Sequence, residues 1–218
     1  MRPRARLAFA TPARHLSAEN KVALMFIQTE VTPNPNTLKF IPGREVSPAG
    51  AMEFATPDEA VASPLAEALF VVEGVDRVFF GPDFIAVSRK ENGRDWGQMK
   101  APILAAIMDH YVAGLPLLAG EGGGAGASNE HNAQVYEGEA AQIVAEIKDL
   151  LDTRIRPAVA QDGGDIIFDR FEPDTGIVFL HMRGACAGCP SSSATLKAGV
   201  ENMLRHYVPE VTRVEQSI

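Results

Sequence analysis

Apolar residues in this chain come in short strand-like runs and longer helical stripes, and a glycine-rich stretch divides them into two blocks. In the first block, residues 26–31, 37–41, 75–80 and 84–90 read as strands. Gly81-Pro82-Asp83 makes a tight reversal between the last two. Ser63 followed by Pro64 signals the start of a helix that reaches about residue 71. A longer helix is expected over 96–112, where Met99, Ile103, Ala106, Ile107 and Tyr111 share one face. In the second block, Ile143, Ile147, Leu150, Leu151 and Ile155 form the stripe of a helix starting at Glu139, which Pro157 kinks or ends. Strands follow at 166–171 and 177–182, joined by a short turn and therefore antiparallel. Leu196, Val200, Met203, Leu204 and Tyr207 mark another helix, Pro209 stops it, and residues 211–214 offer a last strand. The expected fold class is α+β: two small mixed α/β domains, the C-terminal one of order α-β-β-α-β.

The domains are expected at 25–113 and 137–218, with a flexible linker over 114–136. Its run Gly122-Gly123-Gly124-Ala125-Gly126-Ala127-Ser128 cannot support regular structure, because ordering glycine costs too much backbone entropy. No strand precedes it and it lacks the Gly-x-Gly-x-x-Gly spacing, so it is not a nucleotide loop. A linker of this length has a root-mean-square span of roughly 25–30 Å, which would let the two domains move almost independently.

Charge and composition narrow the function classes. A formal charge of −8 and a pI near 5.2 argue against a general nucleic-acid binder. No run of about 18 or more apolar residues exists to span a membrane as a helix. A single Cys-x-x-Cys pair suits a reducing compartment better than a secreted disulfide scaffold. Residues 1–24 are different material: Arg2, Arg4, Arg6, Arg14 and Lys21 face a single acid, Glu19. They read either as a mitochondrial transit peptide or as the product of an upstream start, with Met25 opening the protein. The second reading is preferred, giving a bacterial cytoplasmic protein, with the mitochondrial matrix as the alternative.

The chemistry lies in Cys186 and Cys189, the only two cysteines, set as Gly184-Ala185-Cys186-Ala187-Gly188-Cys189-Pro190. Cys-x-x-Cys can aim two thiolates at one soft metal, yet a tetrahedral sulfur site or an iron–sulfur cluster normally takes four. Half a site per chain suggests a symmetric dimer bridged by its metal. The following helix, opened by Pro190, Ser191, Ser192 and Ser193, should lower both thiol pKa values through its positive end. Gly184 and Gly188 should leave room for a bulky group. A thioredoxin-like oxidoreductase using Cys186 as nucleophile and a zinc-bridged structural dimer stay open as alternatives. His181 and His206 fit no zinc-finger spacing, and Asp162 and Asp165, with two glycines between them, are expected to shape a turn. No Ser-His-Asp arrangement or phosphate loop is visible.

Residues 137–218 resemble the NifU-like C-terminal (Nfu) domain through Arg156-Pro157, Asp162-Gly163-Gly164-Asp165 and the cysteine loop with Ser191-Ser192. Residues 26–113 resemble the Nfu N-terminal domain through Thr32-Pro33-Asn34-Pro35-Asn36-Thr37-Leu38-Lys39-Phe40 and the strand pair from Gly74-Val75 to Val87. The resemblance implies a non-enzymatic iron–sulfur cluster carrier or scaffold. It would bind a 4Fe-4S cluster between two subunits through Cys186 and Cys189 of each and pass it to apo-proteins. Expected partners are a second copy, apo clients and the upstream assembly machinery, with no nucleic acid and no membrane. The first domain would recognise targets, while residues 137–218 alone would hold the cluster.

Overall fold

Strand β2 (Thr37–Ile41) alternates Thr37, Lys39 and Ile41 with Leu38 and Phe40, so its two sides face different surroundings. The structure is a computed structural model and describes residues 26–119, 134–187 and 190–217, side chains of 190–193 excepted. The basic residues 1–24 and the glycine run 122–128 lie outside the described residues. In the first domain, β2 pairs with β1 (Gln28–Val31), and β5 (Ile85–Arg89), β4 (Val75–Phe80) and β3 (Met52–Phe54) complete an antiparallel sheet of order β1-β2-β5-β4-β3. β3 was not foreseen, because three residues are too few to show a period. Two short helices, α1 (Pro57–Ala60) and α2 (Pro64–Phe70), are followed after β5 by α3 (Trp96–Ala113). The Ser63 hydroxyl accepts from the Ala66 N–H at 3.3 Å, which is the expected cap.

Leu38, Phe40, Val78, Phe80, Ile85 and Val87 on one face of the sheet form a core with Leu65, Leu69, Met99, Ile103 and Ile107. The stripe of α3 is as expected except that His110 is buried, 4% exposed, where Tyr111 was expected; Tyr111 packs at the margin. Among the described residues His110 Nδ1 has no hydrogen-bond partner, and burial lowers its pKa from 6.5. An imidazole kept neutral in the fold and free to protonate when unfolded gives stability that is complete above pH 6.5 and falls below it. The urea midpoint of the full chain should therefore drop less between pH 7.5 and 5.5 in His110→Leu than in the parent. An equal drop would show that His110 does not carry the acid sensitivity.

The segment after α3 does not leave at once. Gly114 ends the helix in the left-handed conformation, Leu117 and Leu118 pack on the first core, and the Ala119 N–H bonds Ala62 O at 2.9 Å. On the far side, the Tyr136 hydroxyl donates to Phe171 O at 3.0 Å and accepts from the Phe171 N–H at 2.7 Å. Both ends of the expected linker are thus held to their domains.

The second domain opens with α4 (Gly138–Leu150), which runs through a π-helical turn (Leu151–Ile155) into α5 (Arg156–Gln161). Pro157 does not end the helix. The turn before it is widened, with the Arg156 N–H reaching back to Leu151 O, and this accommodates the donor that proline lacks. β6 (Gly164–Glu172) and β7 (Ile177–Gly184) form the expected antiparallel hairpin. α6 (Pro190–Tyr207) then returns the chain to β8 (Arg213–Gln216), parallel to β7, completing the order α-β-β-α-β. Val144, Ile147, Leu151 and Ile155 meet Ile166, Leu180, Val200, Leu204 and Val214 in a second core.

Independent domains, as the linker composition suggested, are not what the structure shows. The other face of the first sheet carries a row of side chains in register across four strands: Lys39, Ala86, Phe79 and Glu53. Phe79 and Phe84 are each 1% exposed and form a small apolar seam with Ala86, against which Ala160 of α5 packs. Lys39 Nζ donates to Ala160 O at 3.2 Å and Gln161 O at 3.1 Å, while Glu53 Oε1 accepts from the Gly184 N–H at 2.9 Å. A sheet apolar on both faces needs a layer on each, and here the second layer is the other domain.

Candidate metal centre

Cys186 follows β7 in a turn closed by three backbone bonds: Ala185 N–H to Gly163 O (3.1 Å), Cys186 N–H to Arg183 O (3.3 Å) and Ala187 N–H to Gly184 O (3.1 Å). Its side chain is 5% exposed and belongs to the second core. The sulfur sits on the backbone of Gly164, where a Cβ would overlap it. A cavity of about 570 Å³ opens beside it, lined by Val159, Leu196, Val200 and Met203, with Pro33 entering from the first domain. Cys189 and Gly188 lie outside the described residues, as do the side chains of Ser191, Ser192 and Ser193.

The expectation of a lowered thiol pKa is corrected for Cys186. Its thiol is pushed up to about 12, first by burial and then by the carboxylates of Asp162, Asp165 and Glu53. The helix begins only at Pro190, four residues on, and the sulfur points into the core rather than onto the helix end. The space reserved by Gly184 is also filled by protein. With φ +63°, it lies where a Cβ would come 2.7 Å from Gly163 O and 3.0 Å from the Phe79 ring.

The four acidic and histidine candidates divide as follows. Asp162 terminates α5 and lines the cavity, as a turn residue should. Asp165, 5% exposed, accepts from Arg156 Nε at 2.8 Å and Nη2 at 3.0 Å, and from the Ile166 N–H at 2.9 Å. That two-point ion pair clamps α5 to the start of β6, and with a bond to Asp152 it raises the guanidinium pKa. His181 lies on β7 and His206 near the end of α6, and among the described residues no group of three or more His, Cys, Asp or Glu could hold a metal ion.

Sequence reasoning missed the first domain's share in the site. Asn34, 4% exposed, donates from Nδ2 to Ala185 O at 3.2 Å and Ala187 O at 3.4 Å, the carbonyls on either side of Cys186. Thr32 Oγ1 donates to Asn34 O and accepts from the Asn34 N–H, and Asn34 Oδ1 accepts from the Asn36 N–H, so the loop aims its amide. Thr32-Pro33-Asn34-Pro35-Asn36-Thr37 has the composition of a rigid polar loop. Its two prolines and two asparagines were the available signal, but nothing in them named the partner.

Residues 27–114 match the family model described as "Scaffold protein Nfu/NifU N terminal", and residues 147–215 match "NifU-like domain". Over 195 residues the chain is 52% identical to the human "NFU1 iron-sulfur cluster scaffold homolog, mitochondrial", covering 89% of this chain and 73% of that protein. The chain belongs to the Nfu/NifU scaffold family. Two Arabidopsis thaliana members, "NifU-like protein 4, mitochondrial" and "NifU-like protein 5, mitochondrial", are 49% and 48% identical over 192 residues. Each match covers 88% of this Nfu-family chain, and 66% and 68% of the respective relative. These mitochondrial names overturn the expectation of a bacterial cytoplasmic protein drawn from an upstream start at residues 1–24.

Proposed function

We propose that this Nfu-family chain is an iron–sulfur cluster carrier. Its cargo is a 4Fe-4S cluster held by the thiolates of Cys186 and Cys189, with a second copy supplying the other two. The single observation that carries the reading is that family membership coincides with a sequence whose only two cysteines form one Cys-x-x-Cys, the first of them directly after β7. Cargo leaves when a recipient's thiolates replace the donor's in turn, with the freed sulfurs taking up protons. Recipients are apo iron–sulfur proteins, and the supplier is upstream assembly machinery. Among the described residues no helix is long and apolar enough to cross a membrane. The relatives' names favour a mitochondrial address, for which Arg-rich residues 1–24 have a suitable composition.

A thiol–disulfide oxidoreductase fits less well. Its nucleophile should be exposed and of low pKa, whereas Cys186 is buried with its thiol raised to about 12. The β6–β7 hairpin also leads into the loop where a thioredoxin-like site wants a crossover. Anaerobic reconstitution with iron and sulfide tests the carrier reading. A brown dimer with about two irons per chain is the expected result. A colourless monomer that reduces a disulfide would replace it with the enzyme reading, and a colourless dimer containing zinc with the structural one.

A further inference from the structure

The first domain does more than lie beside the second. Four of its groups reach the cysteine loop or the end of α5 beneath it: the Asn34 amide, the Lys39 ammonium, the Glu53 carboxylate and the Phe79 ring. Two glycines of the second domain, Gly163 and Gly184, make this approach possible, and a third, Gly164, leaves room for the Cys186 sulfur within that domain. A Cβ on Gly163 would stand 3.3 Å from Thr32 Cγ2 and 3.7 Å from Lys39 Cβ, one on Gly184 would press the Phe79 ring, and one on Gly164 would strike the sulfur itself. The turn Gly163-Gly164, the loop from Gly184 to Ala187 and the loop around Asn34 therefore meet at one seam, stripped of side chains where they touch. Asn34 and Lys39 are among the few polar groups buried in the chain, and each donates twice across the seam.

We propose that the first domain is a latch on the cysteine loop. Docked, it holds Ala185, Cys186 and Ala187 in the geometry that turns the sulfur into the core, and it must let go before Cys186 can turn outward. Asn34 is the catch, bonding the carbonyls on both sides of the cysteine, and Glu53 fixes the loop's base through the Gly184 N–H. Lys39 holds the domain down from a different point, on the last residues of α5. The outward sulfur is the one that could share metal with a second copy, a consequence that rests on the carrier reading; the latch itself does not.

The test uses the full chain with Cys189→Ser, which leaves Cys186 as its sole thiol. The probe is dithiobis(nitrobenzoate), with its reaction rate followed under native conditions. Adding Asn34→Ala should speed the reaction about tenfold, because two cross-seam bonds are lost and the open population rises in proportion. Adding Lys39→Met instead should speed it several-fold, although Lys39 bonds nothing in the cysteine loop. That second variant separates the latch from a local effect: acceleration by Asn34→Ala alone would mean that the loop, not the domain, had been loosened, and would overturn the proposal. Unchanged or slower reaction in both variants would overturn it as well. Near-ultraviolet circular dichroism checks that each variant is folded; Glu53→Ala replaces Asn34→Ala, and Lys39→Gln replaces Lys39→Met, where one is not. Iron loading of the same substitutions with Cys189 restored is scored separately, so a chain that opens faster yet loads no iron would count against the carrier reading alone.

Discussion

Replacing Cys186 by serine is expected to abolish the visible absorbance, the bound iron and the metal-linked dimer together. An alkoxide is a poor partner for a soft iron–sulfur cluster, and with two thiols per chain there is no spare ligand to substitute. The variant also perturbs packing. Cys186 lies in the second core, so its serine places a hydroxyl among apolar neighbours at a cost of roughly 1–3 kcal/mol if no partner is found. Cys186→Ala avoids that penalty and should lose iron just as completely while keeping the parent's melting temperature more nearly. The measurement is iron per chain after anaerobic reconstitution, beside the melting temperature of each variant. Full iron in a folded Cys186→Ala chain would remove this residue from the ligand set.

Gly164→Ala should disrupt the end of the β6–β7 hairpin beneath the cysteine. The new Cβ would overlap the Cys186 sulfur and stand 2.8 Å from Arg183 O and 3.1 Å from the Cys186 amide nitrogen. Two of those three obstacles are backbone, so no rotamer change relieves them, and the end of the β6–β7 hairpin has to open. Overpacking of this kind costs about 1–3 kcal/mol. The displaced loop should also lose its fit to Asn34, so that Cys186 reacts faster with thiol reagents in the folded chain. Gly199→Ala in α6 is the control, since nothing lies within 4 Å of its Cβ position. Removing a helix-interior glycine there should stabilise by about 0.5–1 kcal/mol. Equal melting temperatures for the two variants would mean that the hairpin end tolerates a side chain after all.

Most of the architecture could be read from patterning because each element carries its own signal. The Ser63-Pro64 start, the stripe of α3 and the hairpin around residues 172–176 depend on neighbours in sequence. The seam does not. Lys39, Phe79, Ala86 and Glu53 belong to four strands, and their alignment exists only once the register of the sheet is set. A faint trace was present in Val78-Phe79-Phe80 and Ile85-Ala86-Val87, where unbroken apolar runs argue for a strand buried on both faces. The linker's composition pulled the other way, since a long tether permits free movement without requiring it. The thiol pKa departs from expectation for a related reason: Cys186 is close to Pro190 along the chain, but its sulfur turns inward, into the second core. Asp162-Gly163-Gly164-Asp165 was recognisable as a turn, but not its pairing with Arg156 across the start of β6.

The apolar seam sets a limit on how long the latch can stand open. Phe79 and Phe84 are almost completely covered, with Ala160 of α5 packed on their cluster and the Gly184 end of β7 against the Phe79 ring. Once the second domain swings away, two phenylalanine rings and an alanine face water side by side on a flat sheet, the kind of surface that draws chains into clumps. An open molecule would thus be short-lived at high concentration unless something else settles on that face. The same rings that hold the protein shut would favour brief openings over long ones.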